Sequence, residues 1–268
     1  MSTHVVMWSG GITSWAAARR IADTHGTDGL VLLFADTKAE DPDLYRWNRD
    51  ASADIGVELT VVSDGRTPTQ VNADEKWLGN SRIAPCSKLL KQRPCRRWLQ
   101  EHTNPATTTV HVGIDWTEMH RIAAIERAYQ PWTASAPLCE PPYVDKRGWM
   151  DEARRRGLTP PRMYDLGYPH NNCGGVCVRA GQAQWALTLR QFPDRYAKAE
   201  QAEEEFRGEH GDVAHLTEIR GGIKHPLPLA VLRRRIEDRD HAQPRIDFDD
   251  WGGCGCLPTE TELEGATP

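Results

Sequence analysis

HVVMWSGGITSWAAARRIADT, residues 4–24, is the stretch on which the reading of the whole chain turns. His4 to Trp8 is short and mostly apolar, as a strand is. Ser9-Gly10-Gly11 breaks it, and from Thr13 to Thr24 the apolar positions Trp15, Ala18 and Ala22 recur at helical spacing. A strand that turns through glycines into a helix presents unpaired N–H groups and a positive dipole end to an anion. The glycines let the backbone approach that anion closely, and Ser9 and Ser14 add hydroxyl donors. Ser9, Gly10, Gly11, Ile12, Thr13 and Ser14 are therefore read as a phosphate loop. It is not a Walker A loop, because the GxxxxGK[ST] spacing and its lysine are absent, and it lacks the GxGxxG fingerprint of dinucleotide sites.

Outward from this turn, strands and helices alternate. Leu30 to Ala35 is a continuous apolar run, as in a strand covered on both faces. Asp41 to Ile55 reads as a helix with Pro42 in its first turn, and Val57 to Val62 as a third strand. Ser63 to Asn80 reads as a loop, and Ser87 to Glu101 as a basic helix interrupted by Pro94. Thr108 to Ile114 is a fourth strand, Glu118 to Tyr129 an amphipathic helix, and Ser135 to Leu138 a short fifth strand. This alternation predicts parallel βαβ units and a Rossmann-like, doubly wound α/β sheet of about five strands. After Pro141 the pattern turns helical, over Asp145–Arg156, Gly174–Phe192, Pro193–Arg207 and Pro226–Arg239. The expected organisation is a nucleotide-binding core over 1–140, a mainly helical appendage packed on it over 141–256, and a disordered polar tail over 257–268.

The 268 residues carry 33 Lys and Arg against 38 Asp and Glu, a net charge of -5, which excludes a globally basic nucleic-acid coat. The longest apolar run, six residues, is far short of the ~18 that cross a bilayer, and the first residues show no secretory signal. A cytoplasmic protein without membrane partners is expected. Seven cysteines, an odd number, argue against a disulfide framework and leave buried thiols, metal ligands or redox sites.

Three further islands follow the phosphate loop in order. Phe34-Ala35-Asp36-Thr37, with Glu40, Pro42 and Tyr45, ends the second strand, at the sheet edge where open α/β folds bind ligands. Gly113-Ile114-Asp115-Trp116-Thr117-Glu118, with Arg121, follows the fourth. Tyr164-Asp165-Leu166-Gly167-Tyr168 precedes Cys173. The SGGxxS loop resembles the PP-loop of the adenine nucleotide alpha-hydrolase superfamily, although Thr13 stands where many PP-loops carry an acid. The four islands together resemble its PAPS-reductase-like branch, in particular short members often encoded by bacteriophages. The resemblance implies an adenine nucleotide (ATP, or the sulfonucleotides APS or PAPS) as ligand. It places Asp36, Thr37, Gly113, Asp115, Glu118 and Arg121 around that nucleotide with the loop. Asp36, Asp115 and Glu118 would gather carboxylates for Mg²⁺, with Asp36 and Asp115 catalytic, and Arg121 would pair with a phosphate.

The same resemblance bears on the cysteines. Cys86 sits where iron–sulfur APS reductases carry a double cysteine, and Cys173 and Cys177 where a CxxC follows the GY motif. It implies Cys86, Cys173 and Cys177 as ligands of a [4Fe–4S] cluster, with a fourth from Cys95, Cys254 or Cys256, or missing so that one iron stays open. Cys254 is the fourth assigned here. If Gly174 onward is helical, Cys173 and Cys177 share one face. A zinc site, with His170 as a possible nitrogen, is the competing metal reading, and buried free thiols the plain one. Cys256 stands near the place of the family's C-terminal nucleophile, without its flanking Glu and His. Lys88, Lys91, Arg93, Arg96 and Arg97 form a basic stretch around Cys86 that could meet the phosphates of an RNA or DNA acceptor. Runs at Arg154–Arg156 and Arg233–Arg235 read more simply as solvated helix faces.

The leading expectation is an ATP-using enzyme, with a homodimer as the candidate assembly. It adenylates an acceptor oxygen with release of pyrophosphate and delivers sulfur or electrons from a cluster. A sulfonucleotide reductase and a non-catalytic nucleotide-binding module with structural zinc are the alternatives.

Overall fold

The computed structural model describes residues 2–79, 84–238 and 250. Its first half runs β1 (Thr3–Trp8), α1 (Ile12–His25), β2 (Leu30–Ala35), α2 (Pro42–Ile55), β3 (Leu59–Val62) and α3 (Pro68–Asp74). A helical stretch follows as α4 (Pro85–Ser87), a π turn at Lys88–Gln92 and α5 (Arg93–His102). Then come β4 (Thr108–Val112), a 3₁₀ turn at Trp116–Arg121, α6 (Ile122–Tyr129) and β5 (Thr133–Ser135). The strands form one parallel sheet in the order β3-β2-β1-β4-β5. The expected Rossmann-like doubly wound fold is thus present.

The register is fixed by strand alternation. Val6 and Trp8 of β1 and Leu30, Leu32 and Phe34 of β2 pack on one face against α1, α2 and Ala153. Val5, Leu33, Ala35 and Val110 pack on the other against Cys95, Leu99 and Trp132. A one-residue slip of β1 would carry its apolar set to the wrong layer. The chain winds outward from β1 to β3 and returns beside β1 as β4, so the order reverses between β1 and β4. That reversal opens a crevice at the strands' carboxyl ends, where such sheets take their ligands.

The second half comprises α7 (Lys146–Arg155), α8 (Arg162–Asp165), α9 (Gln182–Gln191), α10 (Pro193–His210), an antiparallel hairpin of β6 (Leu216–Arg220) and β7 (Ile223–Leu227), and α11 (Leu229–Glu237). Trp185, Tyr196, Leu216, Leu227, Leu229 and Leu232 give it a core of its own. Among the described residues no helix is long and apolar enough to cross a membrane.

Five sequence expectations need correction. The loop over Ser63–Asn80 contains α3, started by a reciprocal capping box between Thr67 and Gln70 and by Pro68. The fifth strand is Thr133–Ser135, because Pro137 begins a 3₁₀ turn. The helix over Pro226–Arg239 starts only at Leu229, and its first residues belong to β7. The helix over Gly174–Phe192 starts only at Gln182. Cys173, Gly174 and Gly175 have φ of 51°, 54° and 90°, left-handed values that no right-handed helix contains. Pro94 does not interrupt the basic helix, since it lies in the first turn of α5, after the π turn.

Candidate functional site

α1 begins at Ile12, directly after β1 and at the crevice, with no side-chain cap from Gly11. Gly10 has φ of 77°, and a Cβ there would lie 2.8 Å from Leu44 Cδ1, so the turn requires glycine. The loop is braced by the second half of the chain. Tyr164 Oη accepts from Ile12 N at 3.1 Å, and Asn171 Nδ2 donates to Gly10 O at 2.9 Å. Ser14 Oγ donates to Gly11 O, and Gly11 N lies 3.4 Å from Ser9 Oγ.

A cavity of about 240 Å³ opens in front of this loop. Ser9, Gly11, Thr13 and Ser14 form one wall, and Gly113, Asp115, Glu118 and Arg121 another. Gly113 must be small, since a Cβ there would lie 2.8 Å from both Ser14 Cα and Thr13 O. Leu33, Phe34, Ala35, Ile114 and Tyr129 give an apolar side, and Lys91, Lys146, Tyr164, His170 and Asn171 close the rest.

No protein-family model and no curated protein matches the sequence. A solved structure similar to this chain is that of phosphoadenylyl-sulfate (PAPS) reductase from Candida auris, in its phosphate complex. It is 19% identical, covers 61% of this chain and 78% of its own, and gives a TM-score of 0.44.

Charge is unevenly placed in the cavity. Arg121 pairs with Glu118, and Asp115 accepts from Thr117 N and Oγ1 at 2.9 and 2.5 Å. Lys146 Nζ donates to Pro169 O at 2.8 Å and lies over the Tyr164 ring. Burial first, then Lys146 and Arg121, pushes His170 down to about 4, so its imidazole is neutral near pH 7. Cys95, expected as a candidate fourth ligand, lies on the apolar side and is raised to about 12 by burial.

The expected nucleotide residues divide in two. Ser9, Gly11, Thr13, Ser14, Gly113, Asp115, Glu118 and Arg121 line the cavity, while Gly10 and Ile12 shape the loop from behind. Asp36 and Thr37 face elsewhere. Asp36 receives Lys38 Nζ at 2.7 Å, Lys38 N at 2.9 Å and Tyr45 Oη at 2.8 Å. Burial alone would raise its pKa, but these donors outweigh burial and hold it below the usual carboxylate range. Thr37 Oγ1 donates to Glu40. Lys146 and Asn171 escaped the sequence reading, because neither stands in a motif that marks it.

Thr37 lines a smaller cavity, of about 20 Å³, with Lys91, Asn172, Cys86, Cys173 and Cys177. The three thiols are therefore brought together, although by an irregular loop and not by a shared helix face. Hydrogen bonding to Cys177, then burial, raises Cys173 well above the ordinary thiol value, and burial raises Cys86 to about 11. Among the described residues no group of three or more His, Cys, Asp and Glu side chains could hold one metal ion. Cys254 and Cys256 lie outside the described residues.

The basic stretch is not one surface. Lys91 turns in toward Glu40 at 3.7 Å, and Arg96 donates to the carbonyls of Ala128 and Gln130, leaving Arg93 and Arg97 exposed. Arg154, Arg155 and Arg156 pair with Asp151, Glu152 and Asp54, and Arg233 and Arg235 with Glu200 and Glu218, as solvated faces do.

Proposed function

We propose that this chain is an adenine-nucleotide-binding enzyme whose ligand lies across the 240 Å³ cavity, with its phosphates on the Ser9–Ser14 loop. The observation that carries this reading is the glycine-led start of α1, with Thr13 and Ser14, facing Arg121 and Lys146 across one cavity, at the point where the strand order reverses. The apolar side, with Phe34, Ile114 and Tyr129, suits a base.

With ATP, the chemistry would be attack of an acceptor oxygen on the α-phosphorus, breaking its bond to the bridging oxygen and releasing pyrophosphate. The loop N–H groups, Arg121 and Lys146 would hold the charge that develops on the leaving group, and Asp115 and Glu118 are the carboxylates that would hold a Mg²⁺. Cys86, Cys173 and Cys177 are the residues that would hold an iron–sulfur cluster. Such a cluster supplies sulfur or electrons. A nucleobase of RNA or DNA, or a small molecule, is the acceptor in this reading.

One observation favours a second reading, a sulfonucleotide reductase. Asp36 is engaged by Lys38 and Tyr45, which takes one of the three carboxylates away from the phosphates. A sulfonucleotide needs the anion donors but not the full set of acids. Its chemistry would need a thiol nucleophile such as Cys256.

The test is to titrate ATP, APS and PAPS calorimetrically into anaerobically purified protein, then assay pyrophosphate and sulfite. Binding that is lost in Arg121→Ala, with pyrophosphate from ATP, supports the first reading. Sulfite from APS or PAPS that is lost in Cys256→Ser supports the second. Failure of all three nucleotides to bind refutes both. Iron and sulfide in matching amounts, absent from Cys173→Ala, would establish the cluster, and their absence after reconstitution would remove it.

A further inference from the structure

Glu40 contacts Lys91, Thr37 and Cys173, residues that line the cavities described above. Its side chain is 1% exposed. Oε2 accepts from Cys173 N at 2.7 Å, Oε1 accepts from Thr37 Oγ1 at 2.9 Å, and Lys91 Nζ lies 3.7 Å from Oε1. One buried carboxylate thereby joins the loop after β2, the π turn and the thiol loop.

Two of these partners have consequences elsewhere. Lys91 lines both the nucleotide cavity and the thiol cavity. Cys173 has φ of 51°, a left-handed value that a non-glycine residue keeps only where its surroundings impose it. Glu40 holds that residue by its N–H, and Arg195 holds the next by a 2.9 Å bond to Gly174 O. Arg195 is itself fixed on Asp41 at 2.7 Å. Asp41 also starts α2, so the thiol loop hangs on the segment that follows β2.

We infer that Glu40 is a positioning residue that couples occupancy of the nucleotide cavity to the conformation of the thiol loop, through Lys91 on one side and the Cys173 N–H on the other. The inference rests on the nucleotide reading above. A polyanion in the cavity attracts Lys91, which lowers the positive charge beside Glu40. The carboxylate then holds its remaining donors, Cys173 N–H and Thr37 Oγ1–H, more tightly, because a hydrogen bond to an unscreened anion is the stronger one. By linkage, a thiol loop held in place favours the nucleotide equally.

The bond itself can be read by amide hydrogen exchange over residues 172–178, on the protein as purified, with and without saturating ATP or APS. In the wild type, nucleotide slows exchange at Cys173 about fivefold, the low end of ordinary coupling between sites. In Glu40→Gln, exchange without ligand is about tenfold faster, since a charge-assisted bond becomes a neutral one, and nucleotide no longer changes it. In Lys91→Met, exchange is slow from the start and insensitive to saturating nucleotide. A Glu40 that only braced the loop would speed exchange in Glu40→Gln but leave the wild type indifferent to nucleotide. That indifference, with binding shown by calorimetry, overturns the coupling alone. A ligand effect that persists in both variants overturns it too. If neither nucleotide binds, the coupling falls with the nucleotide reading.

Discussion

His111 lies in β4, 3% exposed, with Nε2 2.9 Å from His4 Nδ1, and His25 stacks on His4 at 4.2 Å between ring centroids. Among the described residues, the buried Nδ1 of His111 has no hydrogen-bond partner. Burial first, then the neighbouring His4 and His25, pushes its pKa from 6.5 down to about 4. The folded protein therefore resists a proton that the unfolded chain accepts. The stability this site contributes is full above pH 6.5 and is lost as pH falls from 6.5 toward 4. At pH 5 the loss relative to neutral pH is about 2 kcal/mol for those two pKa values, with a slope near 1.4 kcal/mol per pH unit. His4 is shifted the same way, by burial and by His25, and adds to it. Asp36, Asp41 and Asp43 are held below 3.8, so their acid losses begin lower. Urea unfolding at pH 7.5, 6.0 and 5.0 isolates the histidines. His111→Leu should lose about 2 kcal/mol less than the wild type between pH 7.5 and 5.0. Equal losses in the two proteins would refute the assignment, whatever the variant's stability at pH 7.5.

The remaining predictions concern the site. Gly113→Ala puts a methyl 2.8 Å from the backbone at Thr13 and Ser14, so the variant should lose about 1–3 kcal/mol in urea and bind nucleotide at least about tenfold more weakly by calorimetry. Tyr164→Phe removes the acceptor of Ile12 N–H. Its thermal unfolding should show a loss of about 1 kcal/mol, with a weaker phosphate-loop affinity alongside. Asp41→Asn keeps a helix cap at α2 but discharges the partner of Arg162 and Arg195, so urea unfolding should show a loss of about 1–3 kcal/mol and faster exchange in the thiol loop. His170 is neutral because burial and its cationic neighbours keep it so. A bound polyanion reverses that field, so nucleotide affinity should rise as pH falls from 7.5 to 5.5, with a proton taken up on binding, and His170→Asn should abolish the uptake.

What the sequence made legible follows physical range. A strand, a glycine turn and a helix are local events, and the Ser9–Ser14 loop is built from such events alone, so residues 4–24 could be read directly. The alternation of apolar runs then implied the parallel sheet, and the sheet implied which edge binds ligand. Turn chemistry was harder. α3 was hidden in polar sequence because its stability comes from a capping box and a proline, not from apolar periodicity. The hairpin β6–β7 was missed because Pro226 reads as a helix start while it in fact pairs with Thr217 on a short, exposed ribbon.

The thiol loop shows a different limit. Cys173 and Cys177 do meet, as the spacing of four anticipated, but the helix that was to bring them together is absent. The agreement therefore came without its mechanism. What holds Cys173 is Glu40, 133 residues earlier in the chain, and what braces Gly10 and Ile12 is Asn171 and Tyr164, more than 150 residues later. Those contacts leave no periodic signature, since a single hydrogen bond between distant segments imposes no pattern on either. They nevertheless decide the site, because the phosphate loop and the thiol loop are each completed by the other half of the chain. A fragment ending near residue 140 would keep the sheet's strands but lose Tyr164, Asn171, Lys146 and His170 from the cavity. It should therefore bind nucleotide far more weakly than the whole chain even where it folds. Full-strength binding by such a fragment, measured in the same calorimeter, would show that the second half is dispensable to the site and that the bracing argued here is incidental.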